Sequence, residues 1–409
     1  MIAHTAFFSA LGTMRENDSA GRPVFAGLAV LRLIDSFRDN PERAHATEEM
    51  TIVSARAAAT AIPEGDPTRE ILRRIISILD QTKQLTPQIG RELFNYGRAL
   101  DLEARYTLAA DVFKTISESF SGPDNTDLVI EAATMLGAAA RTSGDWKMSD
   151  RSYAHAQHLA DTSKNRALSL TVRVGIASSH MMHGNLPAAD DELIDVVAEA
   201  REHNLQQVEA KAIHAQASVA HSRGDYQRAV HLAYRSLELT IDKTQRERLL
   251  GDIAAAYHGL GMLDAARDGY SIVAVTSPHK WVRSQATINL MELAVADGDE
   301  TQFDRYVDQL SQVTLDPRLH AYSLYFQGLG MRRFERDGAD DVLTCTRDYA
   351  SNLQLHQLVF EIEQTLTSPA VPVAVDESIE TISDENSDEL RRIARVIMHL
   401  RENAVAQSS

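Results

Sequence analysis

The sequence has few of the residues that all-β and disulfide-stabilised folds require. Its 409 residues include 20 glycines, 11 prolines and a single cysteine, Cys345. So few turn-forming residues argue against an all-β fold and favour long helices joined by short connections. A single cysteine excludes an internal disulfide and a zinc site built from cysteines, which fits a reducing compartment.

Long apolar runs and long basic runs are also missing. No stretch approaches the ~18 consecutive apolar residues of a membrane-spanning helix, and residues 1–12 lack the basic start of a signal peptide. We therefore expect a cytoplasmic protein with no membrane partner. The net charge is −17, and the short arginine clusters form no stripe that could follow a phosphate backbone. No nucleic-acid partner is expected.

Short turn motifs recur along the chain at nearly constant intervals. The leading glycines of five motifs are separated by 40, 40, 37 and 37 residues. Extending the interval backwards reaches Ala104 and Gly65, and extending it forwards reaches Gly338. A helical pattern precedes and follows each turn, so the glycine is predicted to end one helix and the next Asp or Asn to begin another. The five motifs are Gly144-Asp145-Trp146, Gly184-Asn185-Leu186, Gly224-Asp225-Tyr226, Gly261-Met262-Leu263 and Gly298-Asp299-Glu300.

Small and large residues keep fixed distances from these turns. Small residues seven before and five after the glycine predict that the two helices of a pair cross closely. A larger residue nine after it, as in Phe113, Tyr153, Leu193 and Tyr270, is predicted to fill the gap between successive pairs. Ala233 breaks this rule, and Phe303 stands where a small residue is expected. The small residues are Gly97, Gly137, Ala177, Ala217 and Ala254, and then Ala109, Ser149, Ala189, Ala229 and Ala266.

Two stretches, 224–229 and 253–261, resemble the tetratricopeptide repeat (TPR) family, and the resemblance extends over about 89–350. That family has a period of ~34 residues, so this chain resembles a long-period variant. The resemblance implies an all-α fold, a right-handed α-solenoid of antiparallel helix pairs. HEAT-type pairs have a similar period and remain the lesser alternative.

Four segments are predicted. Residues 1–85 form an N-terminal helical cap with a degenerate repeat (helices at 22–38, 43–61 and 67–84), and 86–367 form the repeat array. Residues 368–387 are read as an acidic flexible linker, because 348–390 contains no Lys or Arg. Residues 388–409 hold an amphipathic helix and tail. We expect this helix to dock on the last repeat, with the chain's own groove or a homo-oligomer partner as alternatives.

No catalytic, cofactor or metal site is predicted. The glycine-rich, zinc-binding and nucleophile motifs of common enzymes do not occur. The histidine pairs His155/His158 and His180/His183 share helix faces but have no third ligand nearby in sequence. His180 is expected to point inward, as Tyr257 does in a later repeat. Cys345 is expected to have a structural role.

In a TPR-like stack, the first helix of each pair lines the concave groove. The resemblance therefore implies a peptide- or protein-binding groove, whose mixed polar lining suits an extended peptide. The predicted groove residues are Glu131, Thr134, Arg141, Thr171, Ser178, Met181, Lys211, His214, Ser218, His221, Arg248, His258, Gln285 and Glu292.

Three functions remain open from the sequence. The first is a non-catalytic scaffold or adaptor with a protein or peptide partner. The second is a signal- or peptide-responsive bacterial regulator; a DNA-binding version is disfavoured because no helix-turn-helix precedes residue 85. An enzyme is the weakest, because no catalytic constellation supports it.

Overall fold

The computed structural model describes residues 3–14, 21–39, 47–120, 122–368 and 384–408. All the regular secondary structure in these ranges is helical, which confirms the predicted all-α class. The chain divides into two compact units, Met1–Val208 and Glu209–Ser409. The boundary between the units falls in the first turn of the helix Gln206–Ser222. The four predicted segments remain a prediction.

Within its described residues, the first unit contains ten α-helices and the start of an eleventh. From α1 to α10, successive helices pack together, and α5 and α9 also contact α7. The helices are α1 (Thr5–Gly12), α2 (Gly21–Asp39), α3 (Thr47–Thr60), α4 (Pro67–Thr82), α5 (Pro87–Leu102), α6 (Tyr106–Ser119), α7 (Thr126–Thr142), α8 (Trp146–Ser163), α9 (Arg166–Met182) and α10 (Leu186–Glu202), with a short 3-10 helix at Pro123–Asn125.

The second unit continues the pairs and ends with a long helix. From α12 to α19, successive helices pack together. The helices are α11 (Gln206–Ser222), α12 (Tyr226–Leu239), α13 (Lys243–Gly259), α14 (Leu263–Thr276), α15 (Lys280–Asp297), α16 (Glu300–Ser311), α17 (Pro317–Arg333), α18 (Ala339–Asn352), α19 (His356–Thr367) and α20 (Asp384–Ser408).

The recurrent glycines turn the chain as the sequence predicts. Gly144, Gly184, Gly224, Gly261, Gly298 and Gly338 all have φ between 69° and 82°, the left-handed region in which a Cβ atom is unfavourable. After four of these glycines the side chain of the next residue, Asp145, Asn185, Asp225 or Asp299, caps the following helix. The Asp145 carboxylate, for example, accepts a hydrogen bond from the Met148 N–H at 3.0 Å. Short turns between packed helices make each pair antiparallel.

The predicted packing positions are buried throughout. All ten small residues flanking the turns lie in the interior, and so do Phe113, Tyr153, Leu193 and Tyr270. Phe303, the large residue at a small position, is also buried, because Gly330 of the next pair leaves space for its ring. The larger side chain at position 303 is therefore accommodated by a glycine in the next helix pair.

The N-terminus contributes a helix that the sequence analysis did not predict. Helix α1 buries Phe7 completely, and His4 lies at its start. The His4 ring is within hydrogen-bond distance of Asp35 (2.9 Å) and Asp111 (3.0 Å). Burial alone would lower the pKa of His4, but the hydrogen bonds and charges of these two carboxylates outweigh it and raise the pKa to about 9. The His4 imidazole and these two carboxylates thus hold α1 against α2 and α6.

The last helix docks at a different place from the predicted one. Helix α20 packs against α14 and α12, the second helices of two inner pairs, rather than on the last repeat. Leu390, Ile393 and Ile397 are buried there, so the chain itself covers this apolar face. The Tyr257 hydroxyl donates to the Leu390 carbonyl at 2.8 Å. The predicted linker, 368–387, lies outside the described residues from 369 to 383.

Candidate functional site

The fourteen predicted groove residues all lie on first helices of pairs. Six belong to α7 and α9 of the first unit, and eight belong to α11, α13 and α15 of the second. Lys211, His221 and Arg248 are exposed, and the other eleven are half-buried. Their position on one helix of each pair follows the predicted register, but their role in binding remains a prediction.

In the first unit, two groove residues bridge successive first helices. The Arg91 guanidinium on α5 lies 2.5 Å from the Glu131 carboxylate on α7. The Arg141 guanidinium on α7 donates to the Gly175 carbonyl on α9 at 3.3 Å. These contacts hold three consecutive first helices side by side and leave a polar surface.

The remaining groove residues of the first unit are less distinctive. The hydroxyls of Thr134, Thr171 and Ser178 each donate to a carbonyl one turn earlier in their own helix. Each oxygen can still accept a hydrogen bond from a ligand. Met181, at the end of α9, adds a half-buried apolar side chain.

In the second unit, a polar chain joins α11 to α13. The Gln245 amide nitrogen lies 2.5 Å from His214 Nδ1, and His214 Nε2 lies 2.5 Å from the Asp252 carboxylate. An amide nitrogen only donates, so Nδ1 accepts and Nε2 carries the hydrogen that it donates to Asp252. This chain fixes the orientation of the Asp252 carboxylate on the surface of the first helices.

Beside this chain, the structure brings two predicted groove residues into one pocket. The pocket has a volume of about 220 Å³ and lies among α11, α12 and α13. Its lining combines small apolar residues with hydroxyl, imidazole and carboxylate groups. The lining residues are Ala217, Ser218, His221, Ser222, Ala229, Ala233, Asp252 and Ala255.

Two of the groove residues on α13 and α15 have shifted pKa values. Burial lowers the pKa of His258. Burial, together with the charge of Glu361, raises the pKa of Glu292 to about 7. Near neutral pH this carboxyl therefore exists in both protonation states and can act as a hydrogen-bond donor or as an acceptor. Gln285 donates to Asn289 at 3.0 Å within the same helix.

The other candidates from the sequence are the histidine pairs and Cys345. Among the described residues, no group of three or more His, Cys, Asp or Glu side chains could hold a metal ion, and no helix is long and apolar enough to cross a bilayer. His180 is exposed, so the inward orientation expected for it is wrong. Its neighbour Ser179 is buried instead. Cys345 is exposed on α18.

Sequence reasoning missed Gln245 and Asp252, and it did not connect Ala233 to a site. For Asp252 a signal existed, because it stands nine residues before Gly261, as Gly175 stands nine before Gly184. The exception at Ala233 was visible too, but its consequence depends on which helices surround it. Gln245 had no comparable signal, since its role depends on a contact with another helix.

Comparison with known proteins gives likeness of fold only. No family model matches the sequence, and a search of curated proteins finds no match. A Rap protein, solved in complex with competence and sporulation factor, is 13% identical with a TM-score of 0.46, covering 91% of this chain and 99% of that chain.

A second solved structure is a signal-transduction ATPase with numerous domains from Pyrococcus horikoshii, which carries a tetratricopeptide repeat sensor. It is 11% identical with a TM-score of 0.45, and the match covers 86% of this chain and 55% of that one. Because both TM-scores lie below 0.5, the helix-pair description rests on the helices and contacts given above.

Proposed function

We propose that the chain is a non-catalytic scaffold or adaptor that binds an extended peptide or protein segment on the surface of its first helices. The observation that carries the proposal is the pocket beside the Gln245–His214–Asp252 chain, because it opens among residues of that surface. An extended peptide needs partners for its main-chain N–H and C=O groups and shallow pockets for alternate side chains. The surface offers both.

The charges of this surface support a protein partner. Lys211 and Arg248 are exposed on successive first helices of the second unit. Exposed charges of this kind contribute chiefly to the rate and specificity of association. The chain as a whole carries a net charge of −17, and these two exposed side chains add positive charge to the surface of the first helices.

The test compares two double charge reversals in the full chain. A partner is first captured from the native source, identified and purified. Its affinity is then measured for the wild type and for Lys211→Glu/Arg248→Glu. We expect the affinity to fall at least tenfold, because two attractive charges become repulsive ones.

The matched control is Lys147→Glu/Arg151→Glu on α8, a second helix, where both residues are exposed. This variant has the same change in net charge, but on a helix outside the proposed binding surface. Its affinity for the partner should therefore stay near that of the wild type. Equal losses in both variants would reduce the effect to overall charge. If neither variant loses affinity for the partner, the partner does not bind on the surface of the first helices.

A signal-responsive regulator is the second candidate, and the position of α20 favours it. Helix α12 lines the pocket through Ala233, and it also holds α20, since the Arg392 guanidinium lies 5.8 Å from the centre of the Tyr234 ring. A ligand that moves α12 would therefore change how α20 docks.

Hydrogen exchange of residues 388–402, with and without the purified partner, separates the two functions. A regulator predicts a change of exchange rate in α20 on binding. A scaffold predicts protection confined to the first helices. The exchange of α18, a second helix that is not among the helices packed against α20, serves as the internal reference.

A further inference from the structure

The pocket occupies a place that another repeat fills with its own aromatic ring. In the α7–α8–α9 repeat, Tyr153 extends from α8 between the two first helices and is almost fully buried. A Cβ atom at Gly137 would lie 2.9 Å from its ring, and one at Gly175 would lie 2.5 Å from it. The ring fills this gap so tightly that neither glycine has room for a side chain in this repeat.

The α11–α12–α13 repeat has the same three positions with different residues. Counted from the turn glycines, Ala217 corresponds to Gly137, Ala233 to Tyr153 and Asp252 to Gly175. All three line the pocket of about 220 Å³. Because Ala233 has no ring, the space that Tyr153 takes up in one repeat is open in the other.

The pocket has an apolar floor and a polar rim. Ala217, Ala229 and Ala233 at the floor are each no more than 3% exposed. Ser222 and Asp252 at the rim are exposed. His214 donates to the Asp252 carboxylate, yet a carboxylate has about four acceptor positions. The rim can therefore still accept hydrogen bonds from a ligand that enters from this surface.

We infer that this pocket binds the ring of a phenylalanine side chain carried by an extended peptide, an inference that rests on the proposed function. Small-molecule pockets commonly have 300–1,000 Å³, and this one is smaller, with room for one ring. A tyrosine hydroxyl or tryptophan N–H pushed against the alanine floor would lose its hydrogen bonds to water without replacement. The rim carboxylate and hydroxyls match the main-chain N–H groups beside the ring.

The chain's own remaining segments cannot supply this ring. None of the residues outside the described ranges is Phe, Tyr or Trp, including all of 369–383. A second copy of the chain is the other source, because Phe360 is 59% exposed. A partner peptide is the occupant we propose, since the polar rim suits a peptide main chain, and the test includes the second copy as a competing outcome.

The experiment uses the full chain with ¹³C-labelled alanine methyl groups and two synthetic peptides. The probes are Ac-Ala-Ala-Phe-Ala-Ala-NH₂ and the same peptide with tyrosine. We expect the phenylalanine peptide to shift the methyl resonances of Ala217, Ala229 and Ala233 selectively and to bind at least fivefold more tightly than the tyrosine peptide. Shifts spread over other alanines, or none, overturn the inference.

A pair of variants tests the site independently. Ala233→Phe places a ring where Tyr153 lies in the other repeat and should weaken the phenylalanine peptide at least tenfold. Ala198→Phe makes the same substitution at an exposed position of α10 and should leave binding unchanged. If Ala233→Phe does not fold, the titration of the labelled wild type with the two peptides still tests whether the pocket binds phenylalanine.

Two further outcomes separate this inference from the proposed function. If Lys211→Glu/Arg248→Glu weakens the partner but Ala233→Phe does not, the first-helix surface binds a partner and the pocket inference is wrong. If the wild type is dimeric by mass measurement in solution and Ala233→Phe is monomeric, the occupant is a second copy, which overturns the peptide assignment.

Discussion

Two repeats of this chain solve the same packing problem differently. Between α7 and α9 the gap is closed by Tyr153, and Gly137 has no side chain because the ring needs the room. Between α11 and α13 the corresponding gap is lined by Ala217 and Ala233 and stays open. Both repeats have a left-handed turn glycine and buried small residues beside it, so one side chain decides whether the gap becomes part of the core or a pocket.

A third repeat shows that the open gap is not forced by its neighbours. Tyr270 occupies the ring position between Ala254 and Asn289 and is 4% exposed. An alanine seven residues before the turn and a polar residue nine before it are thus compatible with a ring. The open gap in the α11–α13 repeat follows from Ala233 itself.

The largest expected effect is the loss of the ring from the filled repeat. Tyr153→Ala should lower the free energy of unfolding by about 3–5 kcal/mol, because a buried ring is removed from between three helices. Equilibrium urea unfolding measures this. Tyr153→Phe keeps the ring and should cost less than ~1 kcal/mol; an equal loss in both variants would trace the effect to the hydroxyl instead.

The next effect tests how tightly the ring is held. Gly137→Ala should cost about 1–3 kcal/mol, because its new methyl group overlaps the Tyr153 ring. In the Tyr153→Ala background the same methyl should be neutral or stabilising, since alanine is the better helix former. A double-mutant cycle gives the coupling, and additive effects would show that the ring and the glycine do not constrain each other.

A smaller effect is expected when the open repeat is filled. Ala233→Phe should raise the free energy of unfolding by about 1 kcal/mol, as a new ring buries apolar surface in existing space. Thermal unfolding with the Ala198→Phe variant as reference measures the change. A loss of more than ~2 kcal/mol would mean that the gap cannot accept a ring, and the comparison with Tyr153 would fail.

The smallest expected effect concerns the rim. Asp252→Asn should change the free energy of unfolding by less than ~0.5 kcal/mol, because the carboxylate is exposed and exposed pairs contribute little. The affinity for the phenylalanine peptide should fall, since an acceptor for the main chain is weakened. If the affinity of this variant for the peptide is unchanged, the Asp252 carboxylate does not bind the peptide main chain, and the alanine floor alone accounts for binding.

Much of the fold could be predicted because its signals are local. A left-handed glycine ends a helix within one turn, and the following Asp145 or Asp225 begins the next. These offsets repeat along the chain, so the distance of a residue from its turn glycine was enough to predict the helix pairs and the buried small residues. The placement of groove residues on first helices followed from the same register, whereas their use in binding remains a prediction.

Contacts between helices that are distant in the sequence could not be predicted from the offsets. His180 was expected inside because Tyr257 is inside. Tyr257 is buried, and its hydroxyl donates to the Leu390 carbonyl of α20, whereas His180 is exposed. The polar chain from Gln245 through His214 to Asp252 joins residues up to 38 positions apart. Such pairs form only when two helices have a fixed rotation and spacing, which depend on all the residues between them.

The sequence by itself determined that this protein is an array of helix pairs, where the chain turns, and which small residues let the helices cross. Where α20 docks depended on the tertiary structure, because several surfaces could have covered its apolar face and it packs against α12 and α14. The tertiary structure also decided that Ala233 opens a pocket. A missing side chain becomes a site only when the surrounding helices hold the space open.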